Sequence, residues 1–392
     1  MKRESVEELF YIRAICAFGI FMIHLSGSFA VFSLYGSRAM HLGIFANQFF
    51  RFGTPVFMMI SGFVLFYNYR SFEEFKFGEF CVKKMKYILV PYIMWSIFYY
   101  IIPNYRIILE TGSVNIVKLL KDIAFGNAYP HLYFIFLIFQ FYLLYPLFLK
   151  YFIKHMEKTP VLFFVICLIV QGIILSYEFF FKAYGGNGLI DFFNKYYWKS
   201  IFGWFYYFLT GGVAALHYKK ITDFIEKNIW KIVPIYVIST TLYIGEVYLN
   251  IWKEEGRTLY ERYGSIRPMT IIYASFTMII LIWIGRKIGR SKHGYKQIIK
   301  TCGIYSLGIY LIHPFVLEVL KIKLINRFSN FLGYSRISSM VILVVIGWIC
   351  TVSLILLLSN LKWGMFVIGK VPKYQSMFIK YIKGKNQDRA IN

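Results

Sequence analysis

Residues 11–25 read YIRAICAFGIFMIHL, an apolar run that contains only two strongly polar side chains, Arg13 and His24. A helix of about 20 predominantly apolar residues crosses the hydrocarbon core of a bilayer, and this run extends over about 9–30. An acidic stretch precedes it and no small-residue cleavage site follows it, so it does not resemble a cleaved signal peptide. The stretch therefore predicts a first transmembrane helix.

The composition extends this prediction to the rest of the chain. Of the 392 residues, 58% are hydrophobic and 16% are charged, whereas a soluble chain is usually about 25% charged. Nine further apolar runs of spanning length lie at about 48–68, 87–107, 131–150, 160–182, 200–218, 230–250, 269–285, 301–320 and 340–361. We therefore predict an all-α polytopic membrane protein with about ten transmembrane helices. Polar breaks in the third and seventh runs leave nine or eleven open.

The Lys and Arg residues between the runs predict the orientation. With the N-terminus in the cytoplasm, the inner segments hold 26 of the 44 Lys and Arg residues and the outer loops hold 15. Cytoplasmic loops carry such an excess. Loop 286–300, with six basic residues and no acid, is the clearest inner loop, and loop 251–268, with both signs of charge, is the weakest outer one. We predict cytoplasmic termini, a transmembrane domain over 1–365 and a basic cytoplasmic tail over 366–392.

Several function classes are disfavoured by the sequence. The net charge of +25 is explained by the inner loops, so it does not indicate nucleic-acid binding. The five cysteines form no CxxC pair, and neither a metal site nor a disulfide framework is expected. The absence of a Walker A motif argues against ATP-driven transport by this chain alone, and no Rossmann, GxSxG or HExxH motif is present.

Arg13 and His24 are the main candidate site residues. Eleven residues turn a helix by about 1100°, or three turns plus about 20°, so the two share one face about 16 Å apart. A charge in mid-membrane costs on the order of 2.5–3.5 kcal/mol, which favours a functional role. The alternatives are snorkelling of Arg13 to the headgroups and a helix–helix hydrogen bond of His24. A neutral imidazole takes a proton from a hydroxyl, and an arginine suits a nucleotide or coenzyme A phosphate, so the pair indicates transfer from a cytoplasmic donor to an outer acceptor.

Three more residues are candidates for substrate binding. Arg51 opens the second predicted span on the outer side, where an interfacial anchor is the alternative. His131 begins the fourth span, also at the outer face, and His313 lies deep in the ninth span before Pro314. The sequence does not show whether either histidine shares a site with His24.

Six stretches together resemble the membrane-bound acyltransferase 3 family. The most specific is YIRAICAFGIFMIHL, which carries the family's Arg-x10-His spacing as Arg13 and His24. The others follow in the family's order: FGTPVFMMISGFVLF, KKMKYILVPYIMW, HLYFIFLIFQFYLLYPLF, FGWFYYFLTGG and YSLGIYLIHPF. The resemblance covers about 8–365 and is strongest to the subgroup of Gram-positive acyltransferases that includes the exporter, or succinyltransferase, of the poly-N-acetylglucosamine adhesin.

The resemblance implies a ten-helix bundle in the cell membrane that takes an acyl group from acetyl-CoA or succinyl-CoA. The acceptor would be a hydroxyl of an extracytoplasmic glycan or cell-wall polymer. His24 would be the catalytic base, Arg13 would hold the acyl donor, and no metal is implied. Many family members carry a C-terminal SGNH-type esterase domain, whereas only about 30 residues follow the last span here and they contain no GDS-type motif. An extracytoplasmic esterase or transferase partner would then be a separate chain.

Two other functions stay open. An exporter of a surface polysaccharide is supported by the 33 Tyr and 41 Phe, because aromatic faces stack on sugars, although aromatics also form interface belts. Transporters commonly show repeated halves with broken helices, and no such repeat is evident in this sequence. A non-catalytic scaffold in a wall-synthesis complex would need neither Arg13 nor His24.

Overall fold

A computed structural model describes residues 6–181, 188–253, 264–321 and 336–370, and these residues form helices and connections without any strand. The helices are α1 Glu8–Phe32, α2 Arg38–Phe49, α3 Gly53–Asn68, α4 Phe77–Lys84, α5 Val90–Thr111, α6 Ile116–Ala124, α7 Tyr133–Tyr151, α8 Ile153–Lys158, α9 Pro160–Ser176, α10 Gly188–Tyr196, α11 Phe205–Leu216, α12 Tyr218–Lys253, α13 Pro268–Arg290, α14 Tyr295–Ile304, α15 Ser306–Leu320, α16 Arg336–Ser359 and α17 Met365–Ile368. Short 3₁₀ turns lie at Phe50–Phe52, Tyr197–Lys199 and Ile201–Gly203, and π turns at Met85–Leu89 and Tyr177–Phe181. The prediction of an all-α membrane protein is confirmed.

Eight helical segments in the described part are long and apolar enough to cross a membrane. They are Glu8–Phe32, Arg38–Asn68, Phe77–Thr111, Tyr133–Tyr151, Pro160–Phe180, Tyr218–Leu249, Pro268–Arg290 and Ile337–Ser359. Helices α14 and α15 pass the same test only when they are taken together, as a ninth span, and they meet at a bend of 83°. The sixth predicted run corresponds to the shorter apolar helix α11. Each of the ten apolar runs therefore has a helix, although two differ from a simple span.

The structure differs from the sequence predictions at three boundaries. The second span begins at Arg38, so Arg51 lies inside it, in the 3₁₀ turn between α2 and α3, and does not open it. The segment 219–229, predicted as a connection between spans, is helical and continuous with the following span in α12, because its Lys and Glu residues are good helix formers. The ninth run is not one straight helix, since the chain turns at Tyr305.

Helix α1 lies at the centre of the bundle, where it packs against α2, α3, α13, α14, α15 and α16. Glycines allow helix backbones to meet directly at two places in the bundle. A Cβ on Gly62 would lie 1.9 Å from the carbonyl oxygen of Phe208, so α3 and α11 touch backbone to backbone. A Cβ on Gly303 would lie 1.8 Å from the carbonyl oxygen of Phe10, which brings α14 equally close to α1. Because other helices surround α1, a polar side chain on most faces of α1 lies against protein.

The last described residues belong to the bundle. The indole N–H of Trp95 in α5 donates to the carbonyl of Val367 at 2.8 Å, and Ile368 is buried. Residues 371–392 lie outside the described residues, so the predicted basic tail stays a prediction.

Candidate active site

Helix α1 carries Arg13 and His24, and both side chains meet groups from other helices. Arg13 is close enough to Tyr142 and Lys84 to interact electrostatically with them. His24 contacts the rings of His131 and His313. The face of α1 on which the two residues lie therefore looks into the protein interior.

The rings of three histidines from distant parts of the sequence form a cluster. The ring centroids of His24 and His313 are 5.1 Å apart, those of His131 and His313 are 5.5 Å apart, and those of His24 and His131 are 6.2 Å apart. His131 and His313 are only 2% and 1% exposed, so neither ring is solvated from outside. His24 is half-buried and retains accessible surface. It is the member of the cluster that a substrate can reach.

His131 is positioned by the turn before α7 and by tyrosines around it. Gly126 adopts a positive φ of 66°, which lets the chain reverse tightly after α6. The hydroxyl of Tyr310 donates to the backbone carbonyl of His131, which ties this turn to α15. The rings of Tyr99 and Tyr129 stack 4.3 Å apart, and both meet the His131 ring edge to face. Neither ring nitrogen of His131 has a hydrogen bond of normal geometry in the described part, although the Leu311 carbonyl lies nearby.

His313 is positioned by a break in the hydrogen-bond ladder of α15. Pro314 has no backbone N–H and opens the helix at this point. The Tyr99 hydroxyl enters the gap, donating to the Leu311 carbonyl at 2.8 Å and accepting from the Phe315 N–H at 3.2 Å. In a regular helix the Phe315 N–H would donate to the Leu311 carbonyl, four residues earlier. Here the Tyr99 hydroxyl bridges these two backbone groups. Nδ1 of His313 donates to the carbonyl of Ile309 at 3.1 Å, one turn earlier.

Arg51 belongs to a hydrogen-bond network that begins beside His24. The amide nitrogen of Asn47 donates to the carbonyl of Ile23 at 2.8 Å. Its amide oxygen accepts from Nε and a terminal nitrogen of Arg51 at 3.0 and 2.9 Å. The network continues through Gln48 to Arg267 at 2.9 Å, and Arg267 pairs with Glu246 at 3.1 Å. The contact with Asn47 orients the guanidinium of Arg51.

Arg51 and Lys321 bring two positive charges close enough to His24 to act on it electrostatically. Nζ of Lys321, at the end of α15, donates to the hydroxyl of Ser28 at 2.6 Å. Ser28 lies one turn beyond His24 on α1, and its hydroxyl donates to the His24 carbonyl at 3.2 Å. The outer half of the site therefore combines three imidazoles with two basic side chains.

The inner half of the site contains a pair of cations. Nζ of Lys84 lies 4.2 Å from the centroid of the Tyr142 ring and 5.3 Å from that of Phe80. Lys84 and Arg13 interact electrostatically. Within the described residues neither cation has an acidic partner or a hydrogen bond. Two like charges held together in a partly buried site without an acid favour an anionic ligand.

The spacing along α7 matches the spacing along α1. Arg13 meets Tyr142, and His24 meets His131, so eleven residues separate the two contacts on both segments. The two segments therefore run antiparallel in register, with a rise of about 16 Å between the two ends of the site. The site is elongated along α1, with cations at one end and imidazoles at the other.

Within the ranges that the structure describes, no group of three or more His, Cys, Asp or Glu side chains is arranged to hold a metal ion. In that part of the chain, Nε2 of His313 and both ring nitrogens of His131 have no hydrogen-bond partner of normal geometry. Their arrangement suits the transfer and holding of a proton.

The acyltransferase domain of the acyltransferase 3 family matches residues 6–359 of the chain. The chain belongs to this family. It is therefore a membrane-bound acyltransferase with several spans, and the match includes every site residue named above. Among curated proteins, it is 26% identical over 375 residues to the probable poly-beta-1,6-N-acetyl-D-glucosamine export protein of Staphylococcus aureus strain MSSA476, covering 93% of this chain and 96% of the relative. It is 27% identical over 387 residues to the protein of the same name from Staphylococcus epidermidis, covering 97% and 99%. No solved structure matches the chain.

In this acyltransferase the structure brings together four of the five predicted site residues around the outer half of the site. His131 and His313 contact His24 directly, and Arg51 lies beside it through Asn47. Arg13 lies at the other end of α1, as its position in the sequence requires. The three outer candidates were predicted as substrate-binding residues, and that role stays a prediction.

Sequence reasoning missed several groups of the site. Lys84 and Tyr142 lie in two of the stretches that resemble the family, but nothing in their local pattern indicates that they meet Arg13. The sequence placed Lys84 in an inner loop and Lys321 in an outer loop, where both were counted as solvated charges. Asn47 was overlooked because it precedes the predicted start of the second span. The sequence did not distinguish Tyr99, Tyr129 and Tyr310 from its other tyrosines.

Proposed function

We propose that this protein is an O-acyltransferase of the cell membrane that moves an acyl group from cytoplasmic acyl-CoA to a hydroxyl of an extracytoplasmic glycan or cell-wall acceptor. The observation that carries the proposal is the elongated site on α1. It has a cation pair without acids in the described part at one end and an imidazole cluster at the other. The excess of basic residues between spans supports an orientation with the Arg13 end toward the cytoplasm.

The dimensions of the site suit coenzyme A. About twelve bonds separate the phosphate ester oxygen of its pantetheine arm from the sulfur, which is roughly 14 Å at the reach of an extended chain. Arg13 and His24 are separated by about 16 Å along α1. Phosphates held by Arg13 and Lys84 would therefore place the thioester beside His24.

The chemistry assigned to the outer half is general-base catalysis. His24 takes the proton of the acceptor hydroxyl while the hydroxyl oxygen attacks the thioester carbonyl carbon. The carbon–sulfur bond then breaks, and the coenzyme A thiolate leaves with the proton returned by His24. Arg51 and Lys321 stabilise the negative charge that develops on the thioester oxygen. No covalent acyl-enzyme is required.

The glycan acceptor rests on the relatives, whose printed names refer to poly-beta-1,6-N-acetyl-D-glucosamine. This polymer offers free sugar hydroxyls on the far side of the membrane. A separate extracytoplasmic esterase or transferase would be the partner if the acyl group is passed on before it reaches its final acceptor.

The test is transfer of radiolabel from acetyl-CoA or succinyl-CoA to a poly-N-acetylglucosamine acceptor by membranes that contain the protein. Wild type and His155→Gln, which changes an exposed histidine, are expected to label the acceptor. His24→Ala is expected not to label it. Equal labelling by His24→Ala at normal expression would contradict the role of His24. Comparison of the two donors identifies the acyl group.

A second function, export of the polysaccharide, is favoured by the printed names of the relatives. The two functions make opposite predictions for the site. Export that continues unchanged in Arg13→Ala and His24→Ala would favour translocation. Loss of acyl groups from a polymer that still reaches the surface would favour transfer.

A further inference from the structure

The hydrogen bond between His313 and Ile309 fixes where the imidazole carries its proton. A carbonyl oxygen has no hydrogen to give, so Nδ1 of His313 must be the donor in the 3.1 Å contact. A neutral imidazole has one N–H. Nε2 of His313 is therefore a lone-pair acceptor.

This acceptor is buried without a partner in the described part of the chain. His313 is 1% exposed, and Nε2 forms no hydrogen bond there. A buried polar atom that lacks a partner costs about 1–3 kcal/mol, and such an atom calls for a functional explanation. The nearest ring is that of His24, at a centroid separation of 5.1 Å. Two imidazoles joined by an N–H···N bond of about 3 Å have their centroids roughly 5 Å apart, so the observed separation is compatible with such a bond.

We propose that His313 is the positioning residue that fixes the tautomer of His24 for catalysis. Its Nε2 accepts the N–H of one ring nitrogen of His24 and leaves the other nitrogen of His24 unprotonated, facing the acceptor hydroxyl. His313 thus has the position that a carboxylate has behind the histidine of a Ser-His-Asp triad. This inference rests on the proposed function, because it assigns a partner to the proposed base.

The surroundings of the cluster explain why an imidazole has this role. Arg51 and Lys321 act electrostatically on His24, and no carboxylate of the described residues is among the groups that act on His24 or His313. A buried carboxylate here would have to be desolvated, but a neutral imidazole supplies an acceptor at a much smaller cost. The proton taken from the hydroxyl stays on His24 until the thiolate receives it, so His313 ends each cycle unchanged.

His131 is the less suitable candidate for the same role. Its ring is 6.2 Å from that of His24, compared with 5.1 Å for His313, and neither of its nitrogens makes a hydrogen bond of normal geometry within the described residues. It therefore does not present a defined acceptor atom to His24.

The experiment compares wild type with His313→Gln and His313→Phe, with His155→Gln as the control. Glutamine retains an oxygen acceptor near the position of Nε2, whereas phenylalanine retains the ring shape and offers no acceptor. We expect kcat to fall about 10-fold in His313→Gln and on the order of 10²–10³-fold in His313→Phe, with the KM for acyl-CoA unchanged. Wild-type kcat in His313→Phe, or equal loss of kcat in both variants at equal amounts of folded protein, would overturn the proposal.

A second measurement does not depend on activity. Nitrogen NMR of the purified protein labelled at histidine reports the tautomer of His24. We expect one dominant His24 tautomer in wild type and His313→Gln, and a mixture in His313→Phe. The same His24 tautomer in wild type and His313→Phe would overturn the role of His313. If wild type transfers no label from either donor, the proposed function fails, and this measurement still decides on His313.

Discussion

The two ends of the site hold their polar residues in different ways. At the inner end, Lys84 lies over the ring of Tyr142, and Arg13 is close enough to both to interact electrostatically with them. Neither cation has an acidic partner or a hydrogen bond within the described residues. At the outer end, His313 and Arg51 are each fixed by hydrogen bonds to backbone or amide groups. The cations of the inner end therefore lack an anionic partner among the described residues, whereas hydrogen bonds already orient the side chains of the outer end.

This difference teaches that the two ends serve different steps. Charges that gain their partner only from a ligand contribute mainly to binding, so changes there are expected to raise KM. Groups that are oriented before the substrate arrives contribute mainly to the chemical step, so changes there are expected to lower kcat. Substitutions at the two ends of the site are therefore expected to change different kinetic constants.

The largest effect is expected for His24→Gln. Removal of a general base lowers kcat by about 10²–10⁴-fold, and the KM for acyl-CoA should stay within about twofold because the phosphates bind elsewhere. Steady-state kinetics on purified protein in detergent measure both constants. A large rise in KM with kcat unchanged would place His24 in donor binding and break the division.

A smaller effect, on KM, is expected for Arg13→Gln and Lys84→Gln. A hydrogen bond to a charged group contributes about 1.5–3 kcal/mol, so each change should raise the KM for acyl-CoA by at least about 10-fold and leave kcat nearly unchanged. The exposed Lys76→Gln is the control. A truncated donor, acetylpantetheine, has no phosphate and should be used equally well by wild type and both variants. Discrimination between them on this donor would contradict phosphate binding.

The organised state of the outer end is tested by Tyr99→Phe. The change removes the hydroxyl that bridges the Leu311 carbonyl and the Phe315 N–H, so buried backbone groups lose their partner. We expect a loss of about 1–3 kcal/mol in unfolding free energy, with a fall in kcat and an unchanged KM for acyl-CoA. Denaturation in detergent measures the stability, and the exposed Tyr151→Phe is the control. Wild-type stability in Tyr99→Phe would show that the hydroxyl does not support α15.

The smallest effect, on stability, is expected for the ion pairs of Glu7, the residue immediately before α1. Glu7 accepts from Nζ of Lys300 at 2.6 Å and pairs with Lys296 of α14 at 3.3 Å. Burial raises the pKa of Glu7, but the hydrogen bonds and charges of Lys300 and Lys296 together hold this pKa below its ordinary value. The interactions of Glu7 with the two lysines therefore stabilise the folded state at pH values above the ordinary carboxyl pKa. This contribution is lost as the pH falls through the lower pKa that Glu7 has in the folded state.

The measurement is the melting temperature of wild type minus that of Glu7→Gln as a function of pH. The difference should be present at neutral pH, disappear in the acid range, and shrink in high salt because these groups are partly exposed. Glu79→Gln, in an exposed ion pair with Lys76, is the control. A difference that grows as the pH falls would contradict the assignment.

The sequence by itself determined the class of protein, the approximate location of each apolar helix, and the relation between Arg13 and His24. These features are local: hydropathy is read within one run of residues, and helix geometry fixes the face and separation of two residues on the same helix. The sequence also named His131, His313 and Arg51 as candidates, because polar residues in apolar runs are rare.

Only the tertiary structure decided that the three histidines converge, that Lys84 joins Arg13, and that Tyr99 completes the ladder of α15. The rotation and depth of each helix relative to its neighbours follow from side-chain packing between segments far apart in the sequence, and no local pattern encodes them. The bend between α14 and α15 has the same origin, since Gly303 lets α14 lie directly on the backbone of α1.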